Sequence, residues 1–294
     1  MNLTYFYSKH FSDLCCYEDY LMSIDLMGKK HNDKEVLNSL PKCGGHKFII
    51  VNGEIIWIDD DGKRVENPGV SYIDERLFWR CIGLTSITIP DGVTQIGSSA
   101  FYCCAGLTSI TIPSSVTHIG YTAFSCCCGL KSVNIPDGVT DIWVGTFEKC
   151  KGLSSVTIPN RVTSIGDHAF RGCSGLKSIT IPSGLKNLGA SSFEGCSSLT
   201  SVTIPSGVEH IGMYAFDGCK NLASVKICGG VKSIGQGAFC GCIGLTSVMI
   251  PDSVTNIGPA AFYACHSLKS VKVKMYCKVS DDAFPQDCTI VWTL

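Results

Sequence analysis

The amino-acid sequence predicts an α/β repeat solenoid, in which short parallel strands alternate with short helical or 3₁₀ turns behind an N-terminal cap. Three combs of residues, all with a period of 23, carry the prediction. Leucine recurs at Leu84, Leu107, Leu130, Leu153, Leu176, Leu199, Leu222, Leu245 and Leu268. Phenylalanine recurs at Phe78, Phe101, Phe124, Phe147, Phe170, Phe193, Phe216, Phe239 and Phe262, with Phe284 one residue early. Cysteine recurs at Cys81, Cys104, Cys127, Cys150, Cys173, Cys196, Cys219, Cys242 and Cys265. Such self-similarity marks stacked units, none of which can bury its apolar face alone. It overrides the usual reading of a chain this long as about two domains.

Residues 1–69 do not repeat and read as the cap. Leu14, Tyr17, Leu21, Ile24 and Met27 follow helical spacing, and 33–40 reads as a second short helix halted by Pro41. A hairpin follows, with 48–51 and 54–58 flanking Asn52-Gly53, the pair that a two-residue type I′ turn favours. The cap carries net charge −3 and the remainder +2, as suits a wetted terminal lid. Residues 70–294 then form about ten 23-residue units, the first degenerate and the shortened last one serving as the opposite cap with Lys274 and Ile290-Val291-Trp292.

Each offset of the unit has a physical reading. Leu84, Ile87 and Ile89 alternate with Ser86 and Thr88, the pattern of a half-buried strand. Pro90 ends it, and prolines at 113, 136, 159, 182, 205 and 251 place the same corner after later strands. Val93 and Ile96 make a second buried edge. Gly97 is read as the residue free to take a positive φ at the next corner. Ala100-Phe101 reads as one helical or 3₁₀ turn that drops the ring into the core.

The unit L-T-S-I-T-I-P, V-T-x-I-G-x-x-A-F-x-x-C closely resembles the BspA-like class of leucine-rich repeat over residues 70 to 290. The resemblance implies a curved right-handed solenoid with a parallel sheet on one face, used for adhesion and protein–protein contact, and no catalytic residues. Secreted members carry an export signal, whereas 1–10 shows neither a basic start with an apolar run nor a cleavage site. A cytoplasmic location is therefore the expectation.

Composition narrows the function classes. Hydrophobic residues make up 45%, charged residues 17%, and net charge is −1. That excludes a disordered chain, and no apolar run reaches the roughly 18 residues of a membrane span. Near-zero charge argues against nucleic acid as the partner. No G-x-S-x-G, H-E-x-x-H, Walker or G-x-G-x-x-G motif occurs, so neither an enzyme nor a cofactor is expected. The cysteine comb reads as small buried hydrophobes. Bridges between neighbours would hold their Cβ atoms too far apart, and the paired C-x₂₋₄-C spacing of structural zinc is missing, so no metal is expected. Extra thiols at Cys103, Cys126 and Cys128 are left without a role.

What remains is surface. Two outward rows flank the strand centres: a row that is serine at all nine positions from Ser86 to Ser270, and a second row of Thr88, Thr111, Asn134, Thr157, Thr180, Thr203, Lys226, Met249 and Lys272. Small hydroxyl residues simply tolerate tight stacking, which accounts for much of both rows. Equal offsets do equal structural jobs, however, so the drift of the second row to Lys226, Met249 and Lys272 marks a face for an acidic or extended polypeptide. Trp143 stands where other full repeats have glycine; it should bend the corner differently and lie near Tyr121, an aromatic pair of the kind that anchors contacts. The expected function is a monomeric, non-enzymatic interaction scaffold, with a cell-surface adhesin as the alternative.

Overall fold

Each 23-residue unit makes one turn of a parallel β-solenoid in the computed structural model, and about ten turns stack along one axis. The structure describes residues 42–43, 46–51, 54–61, 63–66 and 69–294. Both helices expected in the cap lie outside these residues. Its hairpin is present: His46–Val51 pairs antiparallel with Glu54–Ile58, Val51 opposite Glu54. Phe48 from this hairpin meets Phe78 of the first rung at 5.3 Å between ring centroids.

Three sides enclose the core of each rung. The first is the expected main strand, such as Ser86–Thr88, with Leu84, Ile87 and Ile89 buried and Thr88 exposed. Neighbouring main strands pair in parallel one period apart, so Ser201, Thr203 and Ile204 face Ser224, Lys226 and Ile227. The second side is a two-residue strand, such as Gln95–Ile96, whose isoleucine is buried. These short strands run as a seven-stranded sheet from Asp141–Ile142 to Lys278–Val279, and as a separate three-stranded sheet from Tyr72–Ile73 to His118–Ile119.

The third side corrects the expectation of helical or 3₁₀ turns, because no helix occurs among the described residues. Instead, backbone donors alternate between two destinations. Ala100, Tyr102 and Cys104 donate to the carbonyls three residues back, while Ser99, Phe101 and Cys103 donate to Tyr121, Ala123 and Ser125 of the next rung. A helix would keep every bond inside its own segment; here half are spent on stacking. The alternation requires a left-handed residue every fourth position, at offsets occupied by Ser99 (φ 55°) and Cys103 (φ 59°), then Thr122 and Cys126, and later Gly145 and Gly172. Gly97 is not among them, so its expected positive φ is wrong. A Cβ on Gly97 would lie 2.6 Å from the Glu75 amide nitrogen, and one on Gly120 or Gly189 meets the preceding rung just as closely. Glycine stands at that offset because the rungs approach too closely there for any side chain.

Inside, ten phenylalanine rings from Phe78 to Phe284 stack with centroids 5.0 to 5.5 Å apart and planes within 16° of parallel. Burying one such ring contributes about 1.5–3 kcal/mol, but only when a neighbouring rung covers it. The cysteine comb lies beside this stack. Each thiol from Cys104 to Cys265 donates to the phenylalanine carbonyl 26 residues earlier, at 2.9 to 3.3 Å. That carbonyl already accepts the amide of the cysteine in its own rung, so the thiol occupies its second lone pair. The offset therefore asks for a small apolar group that also donates a hydrogen bond, and cysteine is both.

These thiols should make the fold sensitive to alkali. Burial pushes Cys104, Cys127, Cys150, Cys173 and Cys196 well above the ordinary thiol range and Cys219 up to about 12. In the unfolded chain the same groups ionise near about 8.5. With folded values raised, stability is complete below the unfolded value and is lost as pH climbs toward the folded one. Each thiol contributes about 1.4 kcal/mol per pH unit across that window. Urea unfolding under reducing conditions is expected to show a steep fall in midpoint between neutral pH and about pH 10, and Cys150→Ala should make the fall shallower. An unchanged midpoint would count against buried, protonated thiols.

Candidate functional site

The second outward row lies where the strand pattern puts it. Thr88, Thr111, Asn134, Thr157, Thr180, Thr203, Lys226, Met249 and Lys272 are all exposed. Parallel register sets Thr203, Lys226 and Met249 side by side, and Lys272 opposite Val291 of the last strand. Met249 is 79% exposed, the most open of the large apolar side chains between the two ends of the solenoid. A flexible thioether between two lysines, free of any core duty, is a surface that can repack on a partner. The threonines earlier in the row have no such reach.

Trp143 behaves differently from its expectation. The corner itself is retained: Gly145 keeps φ 63° at the usual offset, and the Thr146 amide donates to the Trp143 carbonyl as in other rungs. What changes is the ladder. The short-strand sheet is interrupted once among the described residues, between His118–Ile119 and Asp141–Ile142. That is the junction where a tryptophan replaces the glycine that close approach demands, and the side chain holds the two rungs apart. The turn side stays closed, with Thr122 and Phe124 donating to Val144 and Thr146. The Phe124–Phe147 spacing, 5.5 Å, is the widest of the ring stack.

The expected neighbourhood of Trp143 and Tyr121 is present, with ring centroids 5.2 Å apart and planes at 57°. His118, which no departure from the repeat marks, joins them at 5.7 Å from Trp143. Its signal was available: His118 and Tyr121 flank the glycine of the preceding rung, directly under the anomalous residue. Tyr121 is 48% exposed and His118 is exposed, so the cluster faces solvent.

Elsewhere the surface is held by ladders of its own. Arg171 bridges Glu194 at 2.9 Å and Glu148 at 3.9 Å on the turn side, and the guanidinium of Arg80 lies over the Trp79 ring, which stacks on Tyr102. Among the described residues no group of three or more His, Cys, Asp or Glu side chains is placed to hold a metal ion. No helix among them is long and apolar enough to cross a membrane.

The profile of the BspA-type leucine-rich repeat region matches 71–200, 144–269 and 186–291, six copies in all and three quarters of the chain. The chain belongs to that family. A search of curated proteins returns no match. Among solved structures, a leucine-rich cell surface protein from Faecalibacterium prausnitzii A2-165 is 26% identical, with 86% of this chain and 94% of that one covered and a TM-score of 0.41. A leucine-rich repeat protein from Bacteroides ovatus is 23% identical, covering 84% and 89% with a TM-score of 0.43. The leucine-rich repeat protein of T. pallidum is also 23% identical, covering 68% and 87% with a TM-score of 0.43. Membership in the BspA-type family rests on the repeat profile.

Trp143→Gly should rejoin the ladder. Hydrogen exchange of the amides in 117–120 and 140–143 is expected to slow, with the circular dichroism spectrum unchanged. Equal exchange rates in the two proteins would mean that the break has another cause.

Proposed function

We propose that this BspA-type solenoid is a non-enzymatic scaffold that binds a polypeptide partner on its outer surface. The observation that carries the reading is the drift of one structural row. Exposed positions with the same backbone job change from Thr88 and Thr111 to Lys226, Met249 and Lys272, while the row beside them is serine throughout. Packing does not select among exposed side chains at equivalent offsets, so partner contact is the remaining demand. The two lysines suit acidic groups, and the parallel register offers an extended segment evenly spaced contacts about 4.8 Å apart. Family membership supports the same reading, and supports adhesion at a cell surface as the second form it takes.

Proximity labelling with the full chain in its native cell identifies the partner. Lys226→Glu combined with Lys272→Glu is expected to reduce labelling of that partner about tenfold or more, since like-charge juxtaposition is strongly unfavourable at an interface. Thr111→Ala, on the same row, should leave it unchanged. Equal labelling by all three proteins would remove this row from the interface. Surface biotinylation of intact cells separates the two forms, because only an adhesin is modified from outside.

A further inference from the structure

The junction at Trp143 has a chemistry unlike that of the basic row. Three aromatic rings meet there, Trp143 tilted at 57° to Tyr121 and 56° to His118, with Tyr121 and His118 exposed. Trp143 is half-buried between the two exposed rings, and aromatic faces carry partial negative charge. The formal charges at the junction's own corners have the same sign, and the nearest lysine, Lys186, lines a hollow with Asp167 one rung further on. Across the corresponding corners of four rungs, 94–99, 117–122, 140–145 and 163–168, the sequence holds Asp141 and Asp167 and neither lysine nor arginine. Asp141 occupies the outward position next to His118 in the row and is half-buried, its Oδ2 accepting from the Thr140 hydroxyl at 2.7 Å. Asp167 is exposed one rung on from Trp143, its Oδ1 fixed by the Ala190 amide at 2.7 Å. An anchored carboxylate, Asp141, thus stands on the outward row of the aromatic cluster where the sheet is parted, with Asp167 one rung on.

We infer that this junction seats a cationic side chain of the polypeptide partner, the guanidinium of an arginine. A guanidinium is planar and weakly hydrated; it stacks on tryptophan and tyrosine while its edges donate to carboxylates. An ammonium group lacks the plane, and an anion meets carboxylates with no cation to offset them. The inference rests on the scaffold reading for its partner class, but it concerns a different side of the solenoid from Lys226 and Lys272. The partner segment that reaches the junction is therefore basic, whereas the one on the main-strand row is acidic.

The test uses the full chain, labelled with nitrogen-15, and two probe peptides. One is an acetylated Gly-Arg-Gly amide; the other carries citrulline, which keeps the planar shape and removes the charge. The indole N–H signal of Trp143 is assigned by its loss in Trp143→Gly. A saturable shift of that signal is expected with the arginine peptide, with affinity about tenfold weaker for citrulline. Asp141→Asn, which keeps the aromatic cluster and the shape of the side chain, is expected to weaken the arginine peptide severalfold. Equal response to both peptides would reduce the junction to an apolar contact, and no response would remove the seat altogether; either overturns the inference. Partner labelling that still depends on Lys226 and Lys272 would leave the scaffold reading standing.

Discussion

The spacing between rungs is the constraint on which everything else in this molecule depends. One backbone turn sits about 4.8 Å above the next, and each buried group must find its partners inside that distance. The phenylalanine rings meet it by lying parallel, 5.0 to 5.5 Å apart. The cysteines meet it by reaching back one rung to a carbonyl that has one lone pair left. Glycine meets it at the tightest corner by having no side chain at all. Three composition figures that look unrelated, high glycine, high cysteine and low charge, are one geometric requirement written three times.

The combs made most of the architecture legible. Period, strand faces, proline corners and the burial of leucine, phenylalanine and cysteine all follow from residue type at fixed offsets, and the hairpin pairing from its Asn52-Gly53 turn. The turn side was not legible, for a physical reason. Its left-handed positions are filled in one rung by Ser99 and Cys103, in another by His168 and Gly172, and in another by Tyr214 and Gly218. A non-glycine residue held at positive φ by hydrogen bonds to the next rung leaves no local signature, because the bond that stabilises it comes from 22 residues away. The same blindness turned Gly97 into a conformational glycine when it is a contact glycine. In both cases the deciding neighbour is remote in sequence and adjacent in space.

The candidate site was legible in a different way, through departures from the repeat. Trp143 and Tyr121 stood out because a repeat supplies its own control: the other corners show what the position requires. His118 was missed because its own rung is regular, and only the parted ladder beside it brings the ring to the tryptophan. The thiols of Cys103 and Cys126, which also stood out, resolve into the left-handed ladder of the turn side, partly exposed on adjacent rungs.

A fold whose interior is this strictly determined can vary in two ways only. It can change an outward side chain, which costs the core nothing and yields the gradual drift from threonine to lysine and methionine. Or it can break an interior rule at one place, which costs a section of ladder and yields a local opening. The chain does both, on different sides and with opposite electrostatic character. The first produces a tunable row along several rungs, suited to an extended segment. The second produces a single exposed opening whose position along the axis is set by one residue. A partner that uses both is held in orientation as well as in place, because a row alone permits sliding by one rung and the break at Trp143 does not repeat.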